Sequence, residues 1–181
     1  MCVLTCTSAH ATRSGSSASD TAVLTQSSDG EVKLSVGAGI LTDAVGIRNT
    51  ASNDVTTTYD TTAPTVSTAA FTGAANGNKT AVITLSEASS NFAVGDLTLT
   101  NATATLTGSG TSYTAVLTPS SDGEVKLSVG AGTFTDAVGI GNTASNEVTT
   151  TYDTTAPTVS IAACTGAANG NKTAGITLTE A

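Results

Sequence analysis

Tryptophan is absent from this 181-residue chain, and the other aromatics are few: three Phe and three Tyr. A core must therefore be built from Val, Ile, Leu and Ala, and the exposed ring clusters that favour sugar binding are not available. Basic residues are almost as scarce. Six Lys+Arg face fourteen Asp+Glu, for a net charge of −8 and a pI near 4.2. That balance gives no electrostatic footprint for nucleic acid or for anionic membranes. No apolar run approaches the roughly 18 residues that span a bilayer. Three cysteines fit neither a disulfide-dense scaffold nor a zinc site, which needs about four ligands at close spacing. The single histidine, His10, has no base–nucleophile–orienter set around it and is expected to point outward from a strand. No enzyme is expected.

The first residues, "MCVLTCTSAHATR", lack the basic start and long apolar centre of a secretory signal. "VLTC" is faintly similar to a lipoprotein cleavage site, but almost nothing precedes it. An export signal is therefore expected upstream.

What the chain does have is threonine, its commonest residue, and a long internal repeat. "SSDGEVKLSVGAGILTDAVGIRNTASNDVTTTYDTTAPTVS" at 27–67 returns at 120–160 as "SSDGEVKLSVGAGTFTDAVGIGNTASNEVTTTYDTTAPTVS", a shift of 93. The same shift lays "GAANGNKTA" at 73–81 over 166–174, and "LTLTNATAT" at 97–105 over "LTCTSAHAT" at 4–12. A repeat fixes the architecture before anything else does. With the unit cut at 61–153, residues 1–60 form the later part of one unit and 154–181 the first part of another. Residue 1 corresponds to 94 and residue 181 to 88, so the two ends together lack only the counterpart of "SSNFA" at 89–93.

Within the unit the pattern is period two. Ala81, Ile83 and Leu85 share a face of "TAVITLS"; Leu97 and Leu99 share one of "DLTLT"; Tyr113, Ala115 and Leu117 share one of "SYTAVLT". In "EVKLSV", Val125, Leu127 and Val129 face inward and Glu124, Lys126 and Ser128 outward. Such alternation predicts half-buried antiparallel strands, separated here by turns at "GAANGN", "GSGT", "SSDG" and "AVGIGN". "GAANGNK" lacks the Walker spacing and a following helix, so it too is a turn rather than a phosphate loop. About seven short strands in roughly 90 residues predict a β-sandwich.

"YDTTAPTV", "ITLSEA", "GSGTSYTAVLTP", "SDGEVKLSV" and "TDAVGIGNTAS", in this order, resemble the bacterial immunoglobulin-like repeats of large secreted adhesins. The likeness covers the whole chain. It implies tandem Ig-like sandwiches, export to the bacterial cell surface and, often, calcium. The expected fold is all-β: one intact 93-residue unit at 61–153 flanked by two partial units.

Strand alternation would bring Asp60, Glu87 and Asp136–Asn142 to one pole of the sandwich, with Glu87 following the second strand. Hard oxygen ligands converging there suit Ca²⁺. The equivalent set at the next junction is Asp153, Glu180, Asp43 and Asn49, with the last two drawn from another chain. Arg48, in place of Gly141, disfavours a cation there. The bland alternative is that these carboxylates cap turns and keep the surface soluble. Cys6 stands where Leu99 stands in the intact unit, and Cys164 where Phe71 stands. The pair is a candidate inter-chain disulfide or two small buried thiols; Cys2 would share a strand face with Cys6 if residues 2–6 are extended. Asn78, Asn101 and Asn171 head N-x-T sequons, candidate glycan sites.

The carboxy-terminal hairpin, "TVSIAA" with "TAGITLT", would leave its inner face wet if it stood alone. The amino-terminal piece similarly lacks its first two strands and presents unpaired edges. Strand addition between molecules is the expected remedy, with Val159, Ile161, Ile176 and Leu178 as donor and Leu4, Leu24, Val32, Leu34 and Val36 as acceptor. Donor and acceptor differ, so the contact is head-to-tail and propagates as a filament of self-copies. The alternatives are a window onto a long calcium-stiffened adhesin array that binds glycans or surfaces, and an accessory module of an exported enzyme.

Overall fold

The computed structural model describes residues 4–7, 9–14 and 20–179. These form two compact units: the described residues up to 64 with 136–140, and residues 65–135 with 141–179.

The first unit holds β1 (Leu4–Thr7), β2 (Ala9–Ser14), β3 (Thr21–Gln26), β4 (Gly30–Val36) and β5 (Val55–Tyr59). β1, β4 and β5 form an antiparallel sheet in that order, and β2 pairs with β3. His10 is exposed on β2, as its surroundings in the sequence suggest.

The second unit holds β6 (Val66–Thr68), β7 (Lys79–Ser89), β8 (Leu97–Thr100), β9 (Ala102–Pro119), β10 (Gly123–Val129), β11 (Val148–Tyr152), β12 (Val159–Ile161) and β13 (Ile176–Leu178). Sheet β6-β7-β9 and sheet β11-β10-β8 face each other across one core. The apolar alternation decides which side chains enter it. Ala81, Ile83 and Leu85 of β7, Tyr113, Ala115 and Leu117 of β9, and Val125, Leu127 and Val129 of β10 are all buried. Between them Val82, Thr84 and Ser86 are exposed. Such one-sided burial is what a period of two produces on a pleated sheet.

Two features depart from the expected strand list. "GSGT" does not separate two strands. β9 runs unbroken from 102 to 119 and doubles back on itself there, with Thr107 Oγ1 donating to the Thr114 carbonyl and Ser120 N to the Asn101 carbonyl. A Cβ on Gly108 would collide with the Ser112 backbone, so only glycine permits this approach. Glu87 does not follow the second strand either. β7 continues to Ser89, and Glu87 lies inside it.

The segment after β7 forms a plug. Phe92 is buried, its ring centroid 4.9 Å from both Tyr113 and Phe134. Ser89 Oγ and Asn91 tie the plug to the backbone of Thr135. A single 3₁₀ turn at Val94–Asp96 then leads into β8.

Candidate functional site

Two hairpins of nearly identical sequence have opposite surroundings. β6 pairs with β7 in the register Val66↔Leu85 and Thr68↔Ile83; β12 pairs with β13 in the register Val159↔Leu178 and Ile161↔Ile176. Directly opposed residues and those two apart share a face, so each hairpin carries a four-residue patch. In β6–β7 that patch is covered: Val66, Thr68, Ile83 and Leu85 are 7%, 4%, 0% and 3% exposed. In β12–β13 it is open: Val159, Ile161, Ile176 and Leu178 are 60%, 68%, 65% and 57% exposed. These four are the donor residues singled out from the sequence.

The residues expected from the sequence to act as acceptor are less covered than their counterparts in the second unit. Val125, Leu127, Val129 and Leu117 are sealed in the second unit, whereas of their counterparts at a shift of 93 only Val32 is buried. Leu34, Val36 and Leu24 are partly exposed. Leu4 lies on β1, paired with Val36; nothing is described of its side chain.

The second unit holds its own first hairpin by polar contacts that the sequence reading missed. Asn146 Oδ1 accepts from Thr68 N at 2.9 Å, and its Nδ2 donates to Thr68 O at 2.8 Å. Lys79, buried, donates from Nζ to the carbonyls of Ala74 and Ala75 and sits 5.6 Å from the centroid of the Tyr152 ring. Asp153 N donates to the same Ala75 carbonyl at 3.2 Å. The available signals were parity, which puts residue 79 on the face of Ala81 and Ile83, and the return of Asn146, Lys79 and Tyr152 as Asn53, Lys172 and Tyr59.

The acidic residues divide. Asp136 Oδ1 accepts from the backbone N–H groups of Val138, Gly139 and Ile140 at 2.7–2.9 Å. Its Oδ2 is buried with no hydrogen-bond partner, and the residue is 6% exposed. Within the same compact unit, carboxylate oxygens of Asp60 and Asp136 lie within 4.8 Å of one another. Glu87 belongs to the other unit. Asn142 uses its carboxamide on the loop backbone: Oδ1 accepts from Phe134 N, and Nδ2 donates to the Gly130 and Thr143 carbonyls.

In the second set, Asn49 repeats this staple with Leu41, Gly37 and Thr50. Asp43 Oδ1 accepts from Val45 and Ile47 N–H, and Arg48 donates to the Gly39 carbonyl. Asp153 is exposed and accepts from Thr155 N. Glu180 lies outside the described residues.

Two further acids act on the "DTT" segments. Asp122 accepts from the hydroxyls of Thr155 and Thr154 and from Thr154 N at 2.6–2.8 Å; Asp29 does the same with Thr62 and Thr61 at 2.7–3.0 Å. The Thr155 and Thr62 hydroxyl bonds, followed by those of Thr154 and Thr61, hold both carboxyls below their ordinary value.

Cys164 is exposed and free. Cys6 lies on β1, its side chain undescribed, and Cys2 lies outside the described residues. Of the sequon asparagines, Asn78 and Asn171 are exposed. Asn101, at φ 56°, already bonds Ser121 through both Nδ2 and Oδ1. Among the described residues no helix is long and apolar enough to cross a membrane.

A family model for the bacterial Ig-like domain matches residues 60–152. No curated protein matches the chain, and no solved structure does.

Proposed function

The chain belongs to the bacterial Ig-like domain family, and from that premise we propose that it is a structural subunit of the bacterial exterior, assembled head-to-tail with copies of itself. Domains of this family are typically non-enzymatic and commonly belong to surface or extracellular proteins. In the proposed assembly, β12–β13 of one copy completes the half-sandwich formed by β1–β5 of the next.

The observation that carries this reading is the open patch Val159, Ile161, Ile176 and Leu178, set beside its covered equivalent in β6–β7. Burying four such side chains is worth about 6–12 kcal/mol before the costs of association. The test is sedimentation and electron microscopy of the full chain beside a chain lacking residues 154–181. Long filaments from the first and none from the second are expected. A monomeric full chain, or filaments that survive the deletion, would overturn the assembly.

A second reading has its own support: a calcium-stiffened adhesin array. The buried, donor-less Oδ2 of Asp136 close to the Asp60 carboxylate suits a Ca²⁺ ligand pair, since that ion takes charged oxygens without needing donors. Calcium should raise the melting temperature, and Asp136→Asn should abolish the rise. A melting curve indifferent to calcium and chelator sinks this reading. The sequons at Asn78, Asn101 and Asn171 extend either reading to a glycosylated surface, testable by intact mass of the native protein.

A further inference from the structure

The second unit contains a template for how a sandwich recognises its first hairpin. Three polar contacts made there have counterparts elsewhere in the chain at the shift of 93. Asn146 reads the main chain of Thr68, bonding both its N–H and its C=O. At a shift of 93 these residues become Asn53 and Ile161. Asn53 is exposed, and among the described residues its Nδ2 reaches only the Asp54 carbonyl, at 3.5 Å. The carboxamide therefore retains an acceptor and a donor for an arriving strand.

The second contact is the buried lysine. The "GAANGNK" loop curls its carbonyls around Lys79, and the Tyr152 ring covers the ammonium group. The copied loop is already folded. Lys172 Nζ donates to the Gly166 and Ala167 carbonyls. Gly73 and Gly166 both have positive φ, and a Cβ on either would strike the carbonyl of Asn78 or Asn171, so the wrap depends on glycine. Lys172 nonetheless remains exposed, and among the described residues no ring lies over it. The counterpart of Tyr152 is Tyr59, half-buried at the end of β5. The third contact, Asp153 N to the Ala75 carbonyl, would return as Asp60 N to the Ala168 carbonyl.

We infer that the joint between copies is keyed by these polar groups: the main chain of Ile161 of one copy is bonded by Asn53 of the next, whose Tyr59 ring and Asp60 N–H close over Lys172 and the Ala168 carbonyl. The proposal rests on the head-to-tail reading and deepens it. The apolar patch supplies attraction but little register, because a strand can slide by two residues and present a similar face. A bidentate carboxamide and a cation in a fixed carbonyl cradle accept one register only. The occupant is a second copy because the hairpin's own repeat equivalents fill this position in the second unit.

The experiment uses the full chain and compares wild type with Asn53→Ala, Lys172→Met and Tyr59→Leu, following the rate at which assemblies fall apart on dilution. Each variant should dissociate about tenfold faster or more, the ratio that corresponds to losing roughly 1.4 kcal/mol at the joint. Melting of the β6–β11 sandwich should be unchanged, since none of the three residues lies among its strands. Tyr59→Phe keeps the ring face and should behave as wild type. If wild type assembles through residues 154–181 but all three variants dissociate at the wild-type rate, the keyed joint is wrong and the head-to-tail reading stands. If wild type does not assemble, both fall.

Discussion

Asn146 holds Thr68 by both polar groups of its backbone, accepting from the N–H at 2.9 Å and donating to the C=O at 2.8 Å across 78 residues of chain. β6 is only three residues long and lies at the edge of its sheet. One side chain thus substitutes for the neighbouring strand that this edge lacks.

Replacing it with alanine should expose that dependence. Asn146→Ala leaves two partly buried backbone groups of Thr68 without these partners, at a cost of about 2 kcal/mol. For a domain of this size that lowers the melting temperature by roughly 8–16 °C. Calorimetry reads it directly, and a shift under 2 °C would mean that water replaces the amide without loss.

Thr68 itself should be improvable. Its Oγ1 is buried with no hydrogen-bond partner, and the equivalent position in the carboxy-terminal hairpin is Ile161. Thr68→Val removes the unsatisfied hydroxyl at nearly constant volume and should stabilise the second unit by about 1 kcal/mol in urea denaturation. Destabilisation would point to an ordered water on the hydroxyl.

Phe92 should be the costliest single deletion in the plug. It is buried, makes an edge-on contact with Tyr113 and packs against Phe134, both at 4.9 Å. Phe92→Ala should cost about 3–5 kcal/mol in equilibrium unfolding. A loss under about 1 kcal/mol would show that the segment carries no structural load.

Acid should loosen the "DTT" segments. The Asp122 and Asp29 carboxyls are held below their ordinary value of 3.8 by threonine hydroxyls. A carboxyl depressed in the folded state contributes stability that is fully present above its unfolded value, and that is lost as pH falls through the folded one. Hydrogen exchange at Thr154, whose N–H is bonded to Asp122, should therefore rise as pH drops below about 4, after correction for the intrinsic rate. Asp122→Asn should show faster exchange at neutral pH and no further acid-dependent step. A wild-type profile flat to the acid limit would contradict the assignment.

Much of this was legible before any coordinates. Parity alone places Ala81, Ile83 and Leu85 on one face and Val125, Leu127 and Val129 on another, and both faces are buried. Asp60 and Asp136, read from the order of strands and loops, do come close. The doubling back of β9 was legible as a glycine-rich turn, although the strand does not break there. The roles of Asn146, Lys79 and Asp122 were not. A polar residue advertises no partner in one dimension, and the partner of Asn146 lies 78 residues away. Lysine ordinarily reads as solvent-facing, and Lys79 is buried only because loop carbonyls and a distant tyrosine replace its water.

The 93-residue period, most of the strands and the apolar side of each are written in the order of residues, because a period of two is a local property of the chain. Which of those apolar sides are covered is settled in three dimensions. Burial depends on what other segments bring to the same place, so one hairpin pattern, written twice, is sealed at Ile83 and Leu85 and open at Ile176 and Leu178.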